Sequence, residues 1–283
     1  MKIGIGIPNQ VRNIDARLIP QWAVQAEQAG FSTLGTIGRL AYPGIMDTVA
    51  LAAAAGATKT IGLLSTILLG PVWPDVLLAK EASDIDSVSG GRLTLGLGVG
   101  QRPDDFVVEG LGTARRGERM DKALETFRSV WGGEPVGGGS NPGVPAGARQ
   151  VPMMFGGFSE RALARMATWG EGYIAGSVPP AMAEQGFEAA RSAWRTAGRA
   201  GAPRLVAICY FAFGDGDAGR ANIADYYAGA GDFTDMVVNN VRVGADSVRE
   251  AVKEFEAIGA EELILNPTVG DLDEVTRLAE TVL

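Results

Sequence analysis

Apolar positions along the chain fall into two alternating patterns. Short runs rich in Val, Ile and Leu are apolar at nearly every position, as in IGLLSTILL and RLVAICYFAF, which is how strands buried on both faces read. Between them lie longer stretches with apolar residues at helical spacing. The predicted strands cover 2–7, 33–37, 60–68, 92–99, 151–155, 172–175, 204–213 and 262–266. The predicted helices cover 17–29, 47–55, 75–88, 117–131, 159–169, 180–199, 245–258 and 271–282, with further helix around 218–228 and 233–241. Gly30 stands where a helix C-terminal glycine belongs, and Ser159 followed by Glu160 is a helix start. About eight such β/α units predict a (β/α)8 TIM barrel, with a doubly wound open sheet as the competitor. Segment 134–150, EPVGGGSNPGVPAGARQ, is a long Gly/Pro-rich loop. Neither side of it carries a complete set of elements, so residues 1–283 are expected to form one domain rather than two joined by a linker.

Composition narrows the partners. The chain has 283 residues, 46% of them hydrophobic, enough for a large core, and a formal net charge of −8. That acidity argues against a nucleic-acid or anionic-membrane partner and leaves a small-molecule substrate as the expected one. The single cysteine, Cys209, lies inside an apolar run and is expected to be buried. The start, MKIGIGIPNQ, breaks at Pro8, too early for a signal core, and no apolar run approaches the roughly 20 residues of a membrane span. A cytoplasmic location is expected.

Barrel enzymes carry their chemistry at the C-terminal ends of strands. The residues expected there include Asn9, Gln10, Gly38, Arg39, Gln101, Gly156, Gly157, Ser177, Asp215 and Asn266. The chain contains no histidine, which removes the commonest general base and metal ligand. The lysines fall at strand starts or in helices, away from a barrel mouth, and Asp215 is nearly alone among strand-end carboxylates. No metal site is expected. A mouth of glycine, amides, hydroxyls and arginine fits an enzyme that imports its chemistry from an organic cofactor.

Two glycine motifs stand out. In SGGRLTLGLGVGQRPDDF, Gly96, Gly98 and Gly100 fail the spacing of a dinucleotide loop, because Gln101 or Pro103 falls where the third glycine belongs. They either permit tight packing within a strand or let a planar ring lie beside Gly98 and Gly100. In MMFGGFSERALARMATWGEGY, the turn Gly156–Gly157–Phe158–Ser159 opens a helix. Its N–H groups suit a phosphate, and an ordinary capped turn is the alternative.

Together with AEQAGFSTL, TIGLLSTILLGP, LAKEASDIDSVSGGRLTLGLGVGQRPDDF, GERMDKALETFRSVW and GADSVREAVKEFEAIGAEELILNP, these motifs resemble the luciferase-like monooxygenase superfamily of flavin- and coenzyme F420-dependent oxidoreductases. The resemblance runs through nearly the whole chain. It implies a luciferase-like TIM barrel with coenzyme F420 or FMN across the mouth. It further implies a non-proline cis peptide at Thr66–Ile67, or one residue earlier, beneath the ring, and a cofactor phosphate on Gly157, Phe158 and Ser159. A homodimer paired through barrel helices would also fit the family. Three positions, at two sites, depart from it. Gly38 and Arg39 replace an Asp-His pair, and Gln101 replaces a glutamate, which argues against sugar-phosphate dehydrogenation because an amide cannot donate a carboxylic proton.

The expected function is thus a flavin-type oxidoreductase, with F420-dependent hydride transfer ahead of FMN-dependent monooxygenation. Arg39 and Gln101 are the expected catalytic residues, and Tyr42, Trp73 and Arg102 the expected substrate contacts. For each a solvated or packing role is the alternative. The two departures also admit a cofactor-binding barrel without turnover, and the phosphate turn admits a sugar-phosphate lyase or isomerase.

Overall fold

The computed structural model describes residues 1–283. Ten parallel strands make one sheet: β1 (Lys2–Gly6), β2 (Thr33–Thr36), β3 (Gly62–Ser65), β4 (Leu68–Leu69), β5 (Leu93–Gly98), β6 (Met153–Gly156), β7 (Gly172–Ala175), β8 (Arg204–Ala212), β9 (Arg242–Val243) and β10 (Glu262–Pro267). Their order is β10–β1–β2–β3–β5–β6–β7–β8, and β8 pairs back onto β10 from Val206↔Glu262 to Phe211↔Pro267. That pairing closes an eight-stranded barrel and excludes the open sheet. The two-residue strands are extensions, β4 beside β5 and β9 beside the end of β8.

Alternation along each strand explains the near-continuous apolar runs. Leu64, Met154, Ile174, Val206, Ile208 and Ile264 fill the bore. Their neighbours Leu63, Met153, Tyr173, Leu205, Ala207, Leu263 and Leu265 join the larger core beneath the helices. Helix ends follow local chemistry. The helix Leu18–Ala29 stops at Gly30 (φ 96°) and Asp75–Ser89 at Gly90 (φ 71°), both left-handed. The helix Pro180–Thr196 ends three residues before the predicted 199. Gly198 is left-handed (φ 68°), and the Arg199 N–H donates back to the Trp194 carbonyl, terminating the helix.

The predicted strand 60–68 is two pieces, broken after Ser65 and resumed at Leu68. Loop 134–150 packs on the barrel's own helices. Arg149 clasps Asp86 through two hydrogen bonds of 2.6 Å, Lys80 donates to the Gly143 carbonyl, and Val144 is buried. After β8, the helices Gly216–Tyr226 and Asp232–Asn239 form an insertion whose tyrosines reach the loops after β2 and β5. No helix is long and apolar enough to cross a membrane.

Candidate active site at the barrel mouth

The break between β3 and β4 builds the floor of the mouth. The Thr66–Ile67 peptide bond is cis. Thr66 is anchored on β2, where its N–H and hydroxyl both donate to the Thr36 carbonyl at 2.7 and 2.9 Å. The Ser65 hydroxyl donates to the Gly96 carbonyl at 2.8 Å. The Ile67 side chain then lies across the neighbouring strands. A Cβ at Gly98 would meet its Cγ2 at 3.2 Å, and one at Gly156 would overlap its Cδ1. These glycines therefore seat Ile67, and Ile67 presents an apolar platform between β5 and β6. Gly100 (φ 69°) turns the chain away over Leu69 and Phe106.

Beside the platform, β6 runs through Gly156 and Gly157 (φ 117°) into the helix Glu160–Trp169. The Ser159 hydroxyl is committed to that helix and accepts from the Ala162 N–H at 3.2 Å. The N–H groups of Gly157, Phe158 and Ser159 donate to no backbone acceptor. Phe158 is 52% exposed. An apolar platform with free N–H donors at a helix start suits a planar ring that carries a phosphate.

Opposite lies a cluster of cations, carboxylates and tyrosines. The Arg39 side chain is only 7% exposed. It donates to Asp104 (2.5 Å), Asp105 (3.4 Å) and the Tyr226 carbonyl (2.9 Å), between the rings of Tyr42 and Tyr226. Asp105 also accepts from the Ala41 N–H. Arg102 donates to the Tyr226 and Ala228 carbonyls. The Tyr42 hydroxyl donates to Asp225 at 2.7 Å, and Asp225 is paired with Arg12. Burial and the Asp225 charge push the Tyr42 phenol up to about 12. Burial would raise Asp104, but Arg39 and Arg102 outweigh it and hold that carboxyl below its usual value.

Behind the end of β2, Asp47 opens the helix Asp47–Ala57. A Cβ at Gly38 would overlap its Oδ2, so the glycine makes room for the carboxylate. Asp47 is 4% exposed, and its Oδ1 has no hydrogen-bond partner. Burial pushes it up to about 7, against the opposing pull of the Thr36 hydroxyl and its own N–H.

The structure thus gathers Thr66, Ile67, Gly98, Gly156, Gly157, Phe158 and Ser159 on one side of the mouth, and Arg39, Tyr42 and Arg102 on the other. Gln101 is exposed at the rim. Trp73 packs against the core and lines a groove with Glu109, Leu111 and Arg119. Asp215 caps the helix Gly216–Tyr226. Cys209 is fully buried, and burial pushes its thiol up to about 11. Sequence reasoning missed Asp104, Asp105 and Asp225 as partners of the arginines, and Tyr226 and Tyr227 as the roof. The acidic pair opening the helix Pro103–Val107 after β5 and the adjacent tyrosines were the available signals.

Comparison with known proteins agrees with the barrel fold. The luciferase-like monooxygenase family matches residues 1–271. An uncharacterised protein of Mycobacterium tuberculosis is 28% identical over 187 residues, covering 56% of this chain and 65% of the relative, so the match spans just under two thirds of that relative's length. An F420-dependent secondary alcohol dehydrogenase, solved with an F420-acetone adduct, shares the fold at TM-score 0.81 and 13% identity, covering 99% and 98% of the two chains. The oxygenating constituent of 3,6-diketocamphane monooxygenase from Pseudomonas putida, solved with FMN, shares it at TM-score 0.72 and 19% identity, covering 99% and 95%. With a closed parallel barrel and a family match through residue 271, the chain belongs to the luciferase-like monooxygenase family.

Proposed function

We propose that this protein binds a flavin-type cofactor across the Ile67 platform, coenzyme F420 ahead of FMN, and uses it to oxidise or reduce a small organic substrate. The observation that carries this reading is the adjacency of platform and turn. Ile67 is seated against Gly98 and Gly156, and the unpaired N–H groups of 157–159 follow directly after Gly156 at the end of β6. Thr66 and Ile67 would support the ring, with Gly98 and Gly156 beneath Ile67. Gly157, Phe158 and Ser159 would hold the phosphate through backbone N–H groups.

The bound cofactor supplies the hydride chemistry that this histidine-free chain lacks. The protein's own part is to orient and to exclude water. Arg39 and Arg102 clasp the insertion down over the mouth through the Tyr226 and Ala228 carbonyls. Arg39 has its donors committed to Asp104 and Asp105, so its role in this reading is to hold the roof rather than to touch the reacting atoms. Gln101, exposed on the rim, is free to meet the substrate.

FMN-dependent monooxygenation is the second reading, and the closed roof favours it, because oxygen chemistry on a reduced flavin needs a site shielded from water. Titrating the purified protein with oxidised F420 and with FMN, followed by absorbance and fluorescence, separates the readings. Tight F420 binding supports the first. Tight FMN binding without F420 binding moves the reading to the second. Binding of neither removes both and leaves a phosphate-ester lyase as the better account of the Gly157 turn.

A further inference from the structure

Below the tyrosine roof lies a group of buried polar side chains that the cofactor reading does not use. Asn266 sits on β10 two residues after Ile264, which fills the bore, so it faces the same interior. It is 0% exposed, and neither its Nδ2 nor its Oδ1 has a hydrogen-bond partner. Gly6 of β1 leaves the room it occupies, since a Cβ there would overlap Oδ1. Gln10, 3% exposed, donates to the carbonyl of Pro267, the next residue, while its own Oε1 is unpaired. Tyr210 is the register partner of Asn266 on β8, and its hydroxyl meets that of Tyr227 at 3.2 Å. Ser177, 3% exposed, lies within hydrogen-bonding reach of both phenols.

Buried amides and hydroxyls in folded proteins are almost always paired. Three unpaired atoms on two neighbouring side chains, Asn266 and Gln10, therefore mark a place built for a partner that is not protein. Its chemistry follows from the lining. Asn offers two N–H donors and one carbonyl acceptor in a plane, and pairs in bidentate fashion with an edge that presents one of each. No carboxylate, lysine or arginine belongs to the group, and burial keeps the Tyr210 and Tyr227 phenols protonated. A charged ligand would lie there without a counter-ion.

We propose that Asn266, with Gln10 and Ser177, forms a neutral subsite in the bore that takes the amide-like edge of the substrate, a carbonyl next to an N–H. The subsite deepens the oxidoreductase reading and rests on it for the word substrate. Entry requires the insertion to lift from Arg39 and Arg102.

The test uses the full chain labelled with 15N-asparagine, which gives seven side-chain amide pairs. The probes are 2-piperidone, a small lactam with the required edge, and N-methyl-2-piperidone, which lacks its N–H. The Asn266 pair, identified by its loss in Asn266→Leu, should shift saturably with 2-piperidone, with at least about tenfold weaker response to the N-methyl compound. Ser177→Ala should weaken the 2-piperidone response while leaving the spectrum folded, which keeps the test valid if Asn266→Leu does not fold. In parallel, F420 and FMN binding is followed by absorbance in wild type and Ser177→Ala and should be equal in the two. An Asn266 pair that responds to neither lactam holds only water and overturns the proposal. A pair that responds to the cofactor and not to the lactam assigns the edge to the cofactor's own pyrimidine ring and also overturns it. Failure of both cofactors to bind wild type, with the lactam shift intact, defeats the oxidoreductase reading alone.

Discussion

At the scale of single residues, the mouth depends on charges and packing that local sequence does not reveal. Arg39 and Asp105 are 7% and 2% exposed, and Arg39 is the cation that faces that carboxylate. Removing one partner of a buried pair leaves an uncompensated charge, at a cost of about 3–5 kcal/mol. Arg39→Met should therefore lower Tm clearly, and adding Asp105→Asn should restore part of the loss; a melting point unchanged by Arg39→Met would show that the pair is not buried in solution. Asp47 makes a prediction about pH. Its carboxyl titrates near 3.8 when unfolded and is pushed up to about 7 in the fold. Between those values the folded state holds a proton that the unfolded state has lost, so stability falls as pH rises. The slope reaches at most about 1.4 kcal/mol per pH unit. Denaturant melts of wild type and Asp47→Asn across pH 4 to 7 should show the slope in the first and its loss in the second. Parallel pH profiles would mean that Asp47 ionises normally.

At the scale of elements, the strands were the legible part. Seven of the eight predicted strands lie within two residues of the observed ends, because burial on both faces leaves an unbroken apolar run. The eighth, 60–68, hid its break. Serine, threonine and isoleucine are all strand formers, and nothing local marks the cis bond between Thr66 and Ile67. Only the resemblance to a family located it. The glycines of β5 and β6 were visible, but their task was not. They make room for Ile67 from the break between β3 and β4, a contact that spans 31 residues from Ile67 to Gly98 and leaves no periodic trace. The insertion was predicted as two helices, but its seat over the mouth depends on Arg102 meeting carbonyls 124 and 126 positions away. Arg102→Leu should raise amide hydrogen exchange across Gly216–Asn239 while the barrel strands stay protected. Equal protection in both proteins would contradict the clasp.

At the scale of the whole molecule, the closed barrel does two things at once. It places β3, β5 and β6 side by side, so that platform and phosphate turn share one half of the mouth. It also brings β1, β8 and β10 together on the other half, where Asn266, Gln10 and Tyr210 meet. The barrel could be read from the chain's apolar rhythm, and the family from the resemblance of its motifs to a known one. The second half of the mouth could not, because Asn9, Gln10 and Asn266 look alike as strand-end amides. Asn9 is paired with the Ile37 and Ile45 backbone, while both amide atoms of Asn266 are left free. The central claim is that Ile67, seated by glycines, is the surface on which the cofactor ring lies. Gly156→Ala tests it directly, since the new methyl overlaps the flexible end of Ile67, while its only other close neighbour is the Ile174 carbonyl of β7 at 3.2 Å. The dissociation constant of oxidised F420, or of FMN if that is the ligand bound, should rise about tenfold or more in Gly156→Ala, with the barrel still folded by circular dichroism. Equal affinity in the two proteins, or no binding to wild type at about 100 μM cofactor, would contradict the account.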